Sequence, residues 1–257
     1  MESENTSLMK YIIVLPMLMD RLVFGAKILF IPANMNSQVL YFSRLAADLA
    51  QLGHVTRVLA PSSTRVPHFI TEDEYGGNLQ YTTYRVDGEE PLPSSPNASA
   101  VKMKLALSHS AWEKFTRTIG IFRNFYSRCE ADCVRLLDND LLMQQIRDDG
   151  YQFAVLDLSA LQCYYAIPYS MGIPYATLSI GLPETASSYR VPRLPSYAPI
   201  ITLGYTDRMS FVERFTTFVV GAMIQLLLQN ASTTYVERLS PGRPPLDADQ
   251  LLQQARF

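Results

Sequence analysis

The chain has 257 residues, enough to bury a large core as one large domain or two small ones. At 48% apolar and 18% charged it falls among ordinary folded proteins, which excludes disorder along most of its length. Its formal charge of -2, from 22 basic and 24 acidic residues scattered along the chain, leaves no field or basic groove to recruit nucleic acid.

Residues 1–25 read as a signal or apolar leader. Lys10 precedes an apolar run from Tyr11 to Met19, and Val23-Phe24-Gly25-Ala26 offers small residues for cleavage. Asp20 and Arg21 interrupt the pattern, so an uncleaved apolar tail on a cytosolic protein stays open beside it. Lys27 to Pro32, KILFIP, predicts a buried strand. Apolar residues at 39, 42, 45, 46, 49 and 52 then predict a helix over Val39–Leu52, stopped by Gly53. Val55 to Ala60 is the next strand, and the resulting strand–helix–strand unit implies a parallel sheet.

Leu79 to Val86 predicts a further strand rich in Tyr and Thr, and Glu89 to Ser99 a proline- and serine-rich loop. Two helices are predicted next, over 100–119 and 122–148, the second with apolar positions at Phe125, Cys129, Cys133, Leu136, Leu137, Leu141 and Ile146. Phe153 to Asp157 is a buried strand, Leu161 to Met171 a helix, and Tyr175 to Ile180 another strand. After a loop over 181–199, a long helix runs to about Glu237, with Asp207 placed to cap it. Residues 241–257 form a proline-rich linker and tail. The apolar stretch Phe215–Leu228 within that long helix, about 14 residues, is too short to span a bilayer and reads as a core or interfacial helix, with peripheral membrane contact as one outcome.

Cys129 and Cys133 share one helical face, where regular geometry disfavours a disulfide, and the spacing with His54, His68 and His109 is no zinc signature. The three cysteines are expected as buried thiols, and no metal site is expected. If the chain enters the secretory lumen, Asn97-Ala98-Ser99 and Asn230-Ala231-Ser232 are glycosylation candidates.

Four blocks carry a resemblance. They are the unit AKILFIPANMNSQVLYFSRLAADLAQLGHVTRVLAP over 26–61, FAVLDLSALQCYYAIPYSMGIP over 153–174, RLPSYAP over 193–199 and TDRMSFVER over 206–214. In order and spacing they resemble the N-terminal half of the UDP-glycosyltransferases, the glucuronosyl- and glucosyltransferases of animal detoxification. The resemblance implies an α/β fold, a Rossmann-like parallel sheet with helices on both faces, as in the N-terminal domain of a GT-B glycosyltransferase. Residues 26–240 would be the domain that holds a lipophilic acceptor. The UDP-sugar donor would bind a second domain expected after Phe257, so no cofactor is expected on this chain. It reads as an acceptor half alone, a truncated product or an incomplete gene model, inactive by itself. The alternative is a non-catalytic partner of full-length glycosyltransferases. The resemblance places both in the endoplasmic reticulum lumen.

In that family the loop after the first strand ends in Ser-His, whose imidazole takes the acceptor proton. Here the pair is Ser37-Gln38, and an amide cannot accept that proton. A base of this kind contributes about 10²–10⁴-fold in rate. Gln38 therefore reads as a degenerate base or as a polar residue at a helix start. Asp157, at a strand end, is the candidate partner carboxylate, with Ser159 as the alternative and helix capping as its other role. Asn34 and Asn36 are candidate acceptor-binding donors or ordinary loop residues. His109 and Trp112 fall in the acceptor-facing region, where Trp112 reads as a ligand platform or as core. His54 reads as structural.

Overall fold

The computed structural model describes residues 25–67, 70–85, 110–157, 162–178, 198–200, 203–229, 235 and 239. Five parallel strands lie in the order β3-β2-β1-β4-β5, where β1 is Lys27–Ile31, β2 Val55–Pro61, β3 Leu79–Tyr84, β4 Phe153–Asp157 and β5 Tyr175–Leu178. Phe30 pairs with Val58 on one side and Val155 on the other, so β1 is the central strand. The helices are α1 Asn36–Gln51, α2 Ala111–Leu137, α3 Asp140–Asp148, α4 Gln162–Met171 and α5 Phe211–Gln229. This is the expected Rossmann-like α/β arrangement.

The central strands are apolar over Ile28–Ile31 and Phe153–Leu156 because both faces are covered. Ile28, Phe30, Val58 and Val155 pack with Phe42, Ala46, Ala47 and Leu49 of α1. Their neighbours Leu29, Ile31, Leu59 and Leu156 turn to the other face, against Leu136, Leu142, Ile146 and Tyr165 from α2, α3 and α4. Alternating side chains thus feed two cores. At the end of α1, Gly53 adopts φ 90°, a left-handed conformation that suits glycine and lets the chain turn straight into β2.

Three expectations are corrected. The helices predicted to divide near residue 120 are one continuous helix across Gly120, and the break falls at Asp138-Asn139. A glycine inside a helix costs only about 1 kcal/mol, whereas the Asn139 side chain accepts from the Leu142 amide and starts α3 afresh. Asp207 does not cap the last helix. Ser210 and Glu213 form a reciprocal capping box, the Glu213 carboxylate accepting from the Ser210 amide at 2.7 Å and the Ser210 hydroxyl accepting from the Glu213 amide at 3.4 Å. The cysteines are not all thiols: Cys133 of α2 and Cys163 of α4 form a disulfide with Cα atoms 6.1 Å apart, and Cys129 is the buried free thiol. Packing of α2 on α4 brings together two positions that their separation of 30 residues does not link. The leader, both glycosylation candidates, most of the loop over 181–199 and the tail over 241–257 lie outside the described residues. Among the described residues no helix is long and apolar enough to cross a membrane.

Removing the disulfide with Cys133→Ser should lower stability by about 3–4 kcal/mol, from the loop entropy it restores to the unfolded chain; urea denaturation of oxidised, reduced and substituted protein measures this. A second outcome concerns tyrosine. Burial pushes the hydroxyls of Tyr84, Tyr164 and Tyr175 above their ordinary value of 10. A raised folded-state value means the unfolded chain releases these protons first as pH climbs. The stability they confer is therefore complete below pH 10 and is lost above it. The share of tyrosinate absorbance that comes from these three of the 15 tyrosines should rise together with unfolding in an alkaline titration, rather than ahead of it.

Candidate functional site

The chain runs outward from β1 to β2 and β3, then returns to β4 and β5 on the other side of β1. The strand order thus reverses between β1 and β4, the position at which open α/β sheets bind ligands beyond the carboxyl ends of their strands. The segment Pro32–Met35 leaves β1 at this point, and Asp157 ends β4 beside it. Asp157 is fully buried, and its Oδ2 accepts from the Ala33 amide at 3.4 Å, which joins the two sides of the switch point.

Asn34 is buried and bonded at both ends of its carboxamide. Its Nδ2 donates to Asp132 Oδ2 at 2.6 Å, and its Oδ1 accepts from the Ser63 hydroxyl at 2.8 Å. Asn36 opens α1, and its Oδ1 accepts from the Arg65 amide at 2.9 Å. Both asparagines thus hold the β1 loop to its surroundings. Asp132 is a buried carboxylate on α2 with Arg135 3.6 Å away. Neither Asp132 nor Ser63 was expected at the site. Asp132 left a signal, because it falls on the apolar stripe of Cys129, Cys133 and Leu136, where a charge is out of pattern.

Gln38 lies in the first turn of α1, 7% exposed, and its Oε1 is buried without a hydrogen-bond partner. Beneath the same edge, the Tyr84 hydroxyl at the end of β3 meets that of Tyr164 at 3.1 Å. Cys129 is pushed far above the ordinary thiol value, first by burial and then by the nearby charges of Asp132 and Asp157. Thiol and phenols therefore stay protonated near neutrality, and a protonated Cys129 is no nucleophile. Among the described residues at this edge, the groups able to take a proton are the carboxylates Asp132 and Asp157. His54 precedes β2 at the opposite edge of the sheet, buried, its amide bonded to the Leu49 carbonyl at 3.2 Å. His109 and Ser159 lie outside the described residues.

Trp112 is not brought to this edge. It stands at the far end of α2, about 30 Å along the helix from Asp132. It is 72% exposed, stacks on Phe115 with ring centroids 5.5 Å apart, and lines a cavity of about 230 Å³ with Phe115, Phe215, Thr216 and Val219. The predicted acceptor-binding set thus divides into the asparagines at the switch point and an apolar wall between α2 and α5.

Residues 26–253 match the family model described as UDP-glucoronosyl and UDP-glucosyl transferase. UDP-glucuronosyltransferase 2A3 of Cavia porcellus is 25% identical over 235 residues, covering 86% of this chain and 42% of that protein. UDP-glucuronosyltransferase 1-2 of Mus musculus is 25% identical over 215 residues, covering 82% and 38%. The chain spans about two fifths of the length of these curated relatives. Among solved structures, Phytolacca americana UGT2 complexed with UDP-2fluoro-glucose and pterostilbene aligns with a TM-score of 0.39 at 10% identity, over 86% of this chain and 53% of that one. A Streptomyces glycosyltransferase, SsfS6, aligns with a TM-score of 0.38 at 12% identity, over 81% and 47%.

The geometry predicts that Asn34→Ala, which removes one donor from a buried carboxylate, destabilises the fold by about 1–3 kcal/mol. Asn34→Ala with Asp132→Ala should cost less than the two single changes added, with a coupling of about 0.5–3 kcal/mol. Urea denaturation of the four proteins in this cycle measures both quantities.

Proposed function

Since the chain belongs to the UDP-glucoronosyl and UDP-glucosyl transferase family, we propose that it forms the acceptor-holding half of a GT-B-type glycosyltransferase. That half presents a lipophilic hydroxyl compound at the β1–β4 switch point for transfer of a hexosyl or glucuronosyl group from a UDP-sugar. The observation that carries the reading is the join at that point: the loop leading to position 38 is tied to the carboxylate of Asp157 through the Ala33 amide. A base–carboxylate pair requires this adjacency of loop and strand end. Transfer then needs a UDP-sugar-binding half facing this one.

The chemistry at position 38 is the weak link. The acceptor oxygen must lose a proton as it attacks the anomeric carbon and UDP departs. Gln38 orients a hydroxyl by hydrogen bonding and leaves its proton in place. Asp157, buried beside the loop, has no imidazole from Gln38 to orient. This favours a second reading, in which the chain binds acceptors without transferring sugar and acts as a partner of a full-length glycosyltransferase. Both readings place the protein in the lumen of the endoplasmic reticulum, and the Cys133–Cys163 disulfide supports an oxidising compartment.

Joined to the UDP-sugar-binding half of a family relative, the chain with Gln38→His should transfer sugar to a phenol at least about 100-fold faster than the chain with Gln38. Release of UDP measures the rate. Equal, substantial rates for both would overturn the assignment of position 38. No transfer by either, with the phenol still bound by the 257-residue chain, would favour the non-catalytic reading.

A further inference from the structure

Asn34 stands at the centre of a very short turn. The Met35 amide donates back to the Ala33 carbonyl at 2.7 Å, which closes three residues on themselves as the chain leaves β1. Met35 is then the N-cap of α1 and supplies no side-chain cap, while its carbonyl accepts from the Gln38 and Val39 amides at 3.0 Å each. Position 38 therefore takes its place from the backbone of this turn. A turn with so little hydrogen bonding of its own is set by the side chains that hold it. Asn34 is buried, and its carboxamide runs between Asp132 on α2 and Ser63 on the loop after β2.

Charge gives these bonds a direction. As a carboxylate, Asp132 offers acceptors alone, so it admits the Nδ2 end of the Asn34 carboxamide and repels the Oδ1 end. The Ser63 hydroxyl, able to donate or accept, then donates to Oδ1 at 2.8 Å. An uncharged amide at position 132 would accept either end, and the Asn34 carboxamide would have two arrangements in place of one. Asp132 belongs to none of the four sequence blocks that carry the family resemblance, and the base–carboxylate pair assigns it no part. Building on the acceptor-half reading, we propose that Asp132 is a positioning residue for glycosyl transfer. Through the Asn34 carboxamide it fixes the turn that aims position 38 at the acceptor oxygen, and it touches neither acceptor nor sugar. The apolar wall that includes Phe115 stands about 25 Å along α2 from Asp132. Loss of the carboxylate thus costs turnover and spares the surface open to a lipophilic body.

The test uses Asp132→Asn, which keeps the size of the side chain and removes its charge, in two measurements. Hydrogen exchange on the 257-residue protein should show the bonded amides of Ala33 and Met35 exchanging at least about tenfold faster, while those of β1 and β4 keep their rates. In the chain with Gln38→His joined to the UDP-sugar-binding half of a relative, kcat for 1-naphthol should fall at least about tenfold, with KM changed by less than about twofold. Ser63→Ala, at the outer end of the bonds, should give the same split at smaller size, and it serves if Asp132→Asn fails to fold. The swapped pair Asn34→Asp, Asp132→Asn restores a donor and an acceptor in the opposite sense and should recover both readouts. An unchanged kcat in Asp132→Asn overturns the proposal. So does a rise in KM at constant kcat, or an equal loss of protection in β1 and β4, which would make the carboxylate a support of the whole fold. No transfer by the joined Gln38→His parent sinks the acceptor-half reading itself and this role with it, and it is told apart from the other failures because it precedes any change at Asp132.

Discussion

The loop between β1 and α1 is fixed by three side chains drawn from distant parts of the sequence, and the site depends on that clamp. Asp157 holds the Ala33 amide, Asp132 and Ser63 hold the two ends of the Asn34 carboxamide, and Asn36 holds the Arg65 amide. Each bond crosses from one element to another: β4, α2 and the β2 loop all converge on four residues. The bond from Asn34 to the Asp132 carboxylate is charge-assisted and, at 2.6 Å, the shortest of them. Buried carboxylates are costly without partners, so a chain that keeps Asp132 and Asp157 inside has to keep the loop that satisfies them. The polar cluster and the loop geometry are therefore one structural unit.

Two other links reinforce it. The Cys133–Cys163 disulfide lies one residue from Asp132 on α2 and near the start of α4, which follows Asp157 in the chain. It ties together the two helices that flank the carboxylates. The Tyr84–Tyr164 hydroxyl pair closes the space beneath, so the cluster is sealed by covalent, polar and aromatic contacts together. Gln38 stands apart from this economy of partners: its amide oxygen is buried and unpartnered at the start of α1. A side-chain amide oxygen also sets a chemical limit at this position. It receives a hydrogen bond without receiving the proton.

The α2–α5 projection obeys a different balance. Its inner seam, Cys129, Ile200, Leu203, Val220 and Ile224, is apolar, and yet its outer face is apolar as well. The threonines on its inner side keep their hydroxyls bonded, Thr216 to the Val212 carbonyl and Thr217 to the Met209 sulfur. The molecule thus separates a polar, hydrogen-bonded edge from an apolar surface a helix length away.

The parallel sheet was legible from sequence because a strand covered on both faces reads as a short continuous apolar run, as ILFI and FAVL do within KILFIP and FAVLD. Gly53 and the short connections marked the strand–helix–strand unit for the same local reason. Gln38 and Asp157 were legible as positions because a strand end and a helix start are local features. What only the tertiary structure decided is which distant groups meet. Asp132 pairs with Asn34 across 98 residues, and Cys133 with Cys163 across 30, contacts set by how α2 packs on the sheet and on α4. Periodicity fixes which face of a helix is buried, but not the neighbour it is buried against. For that reason all three cysteines read as thiols, and the sequence left Phe215–Leu228 open between a core and an interfacial helix.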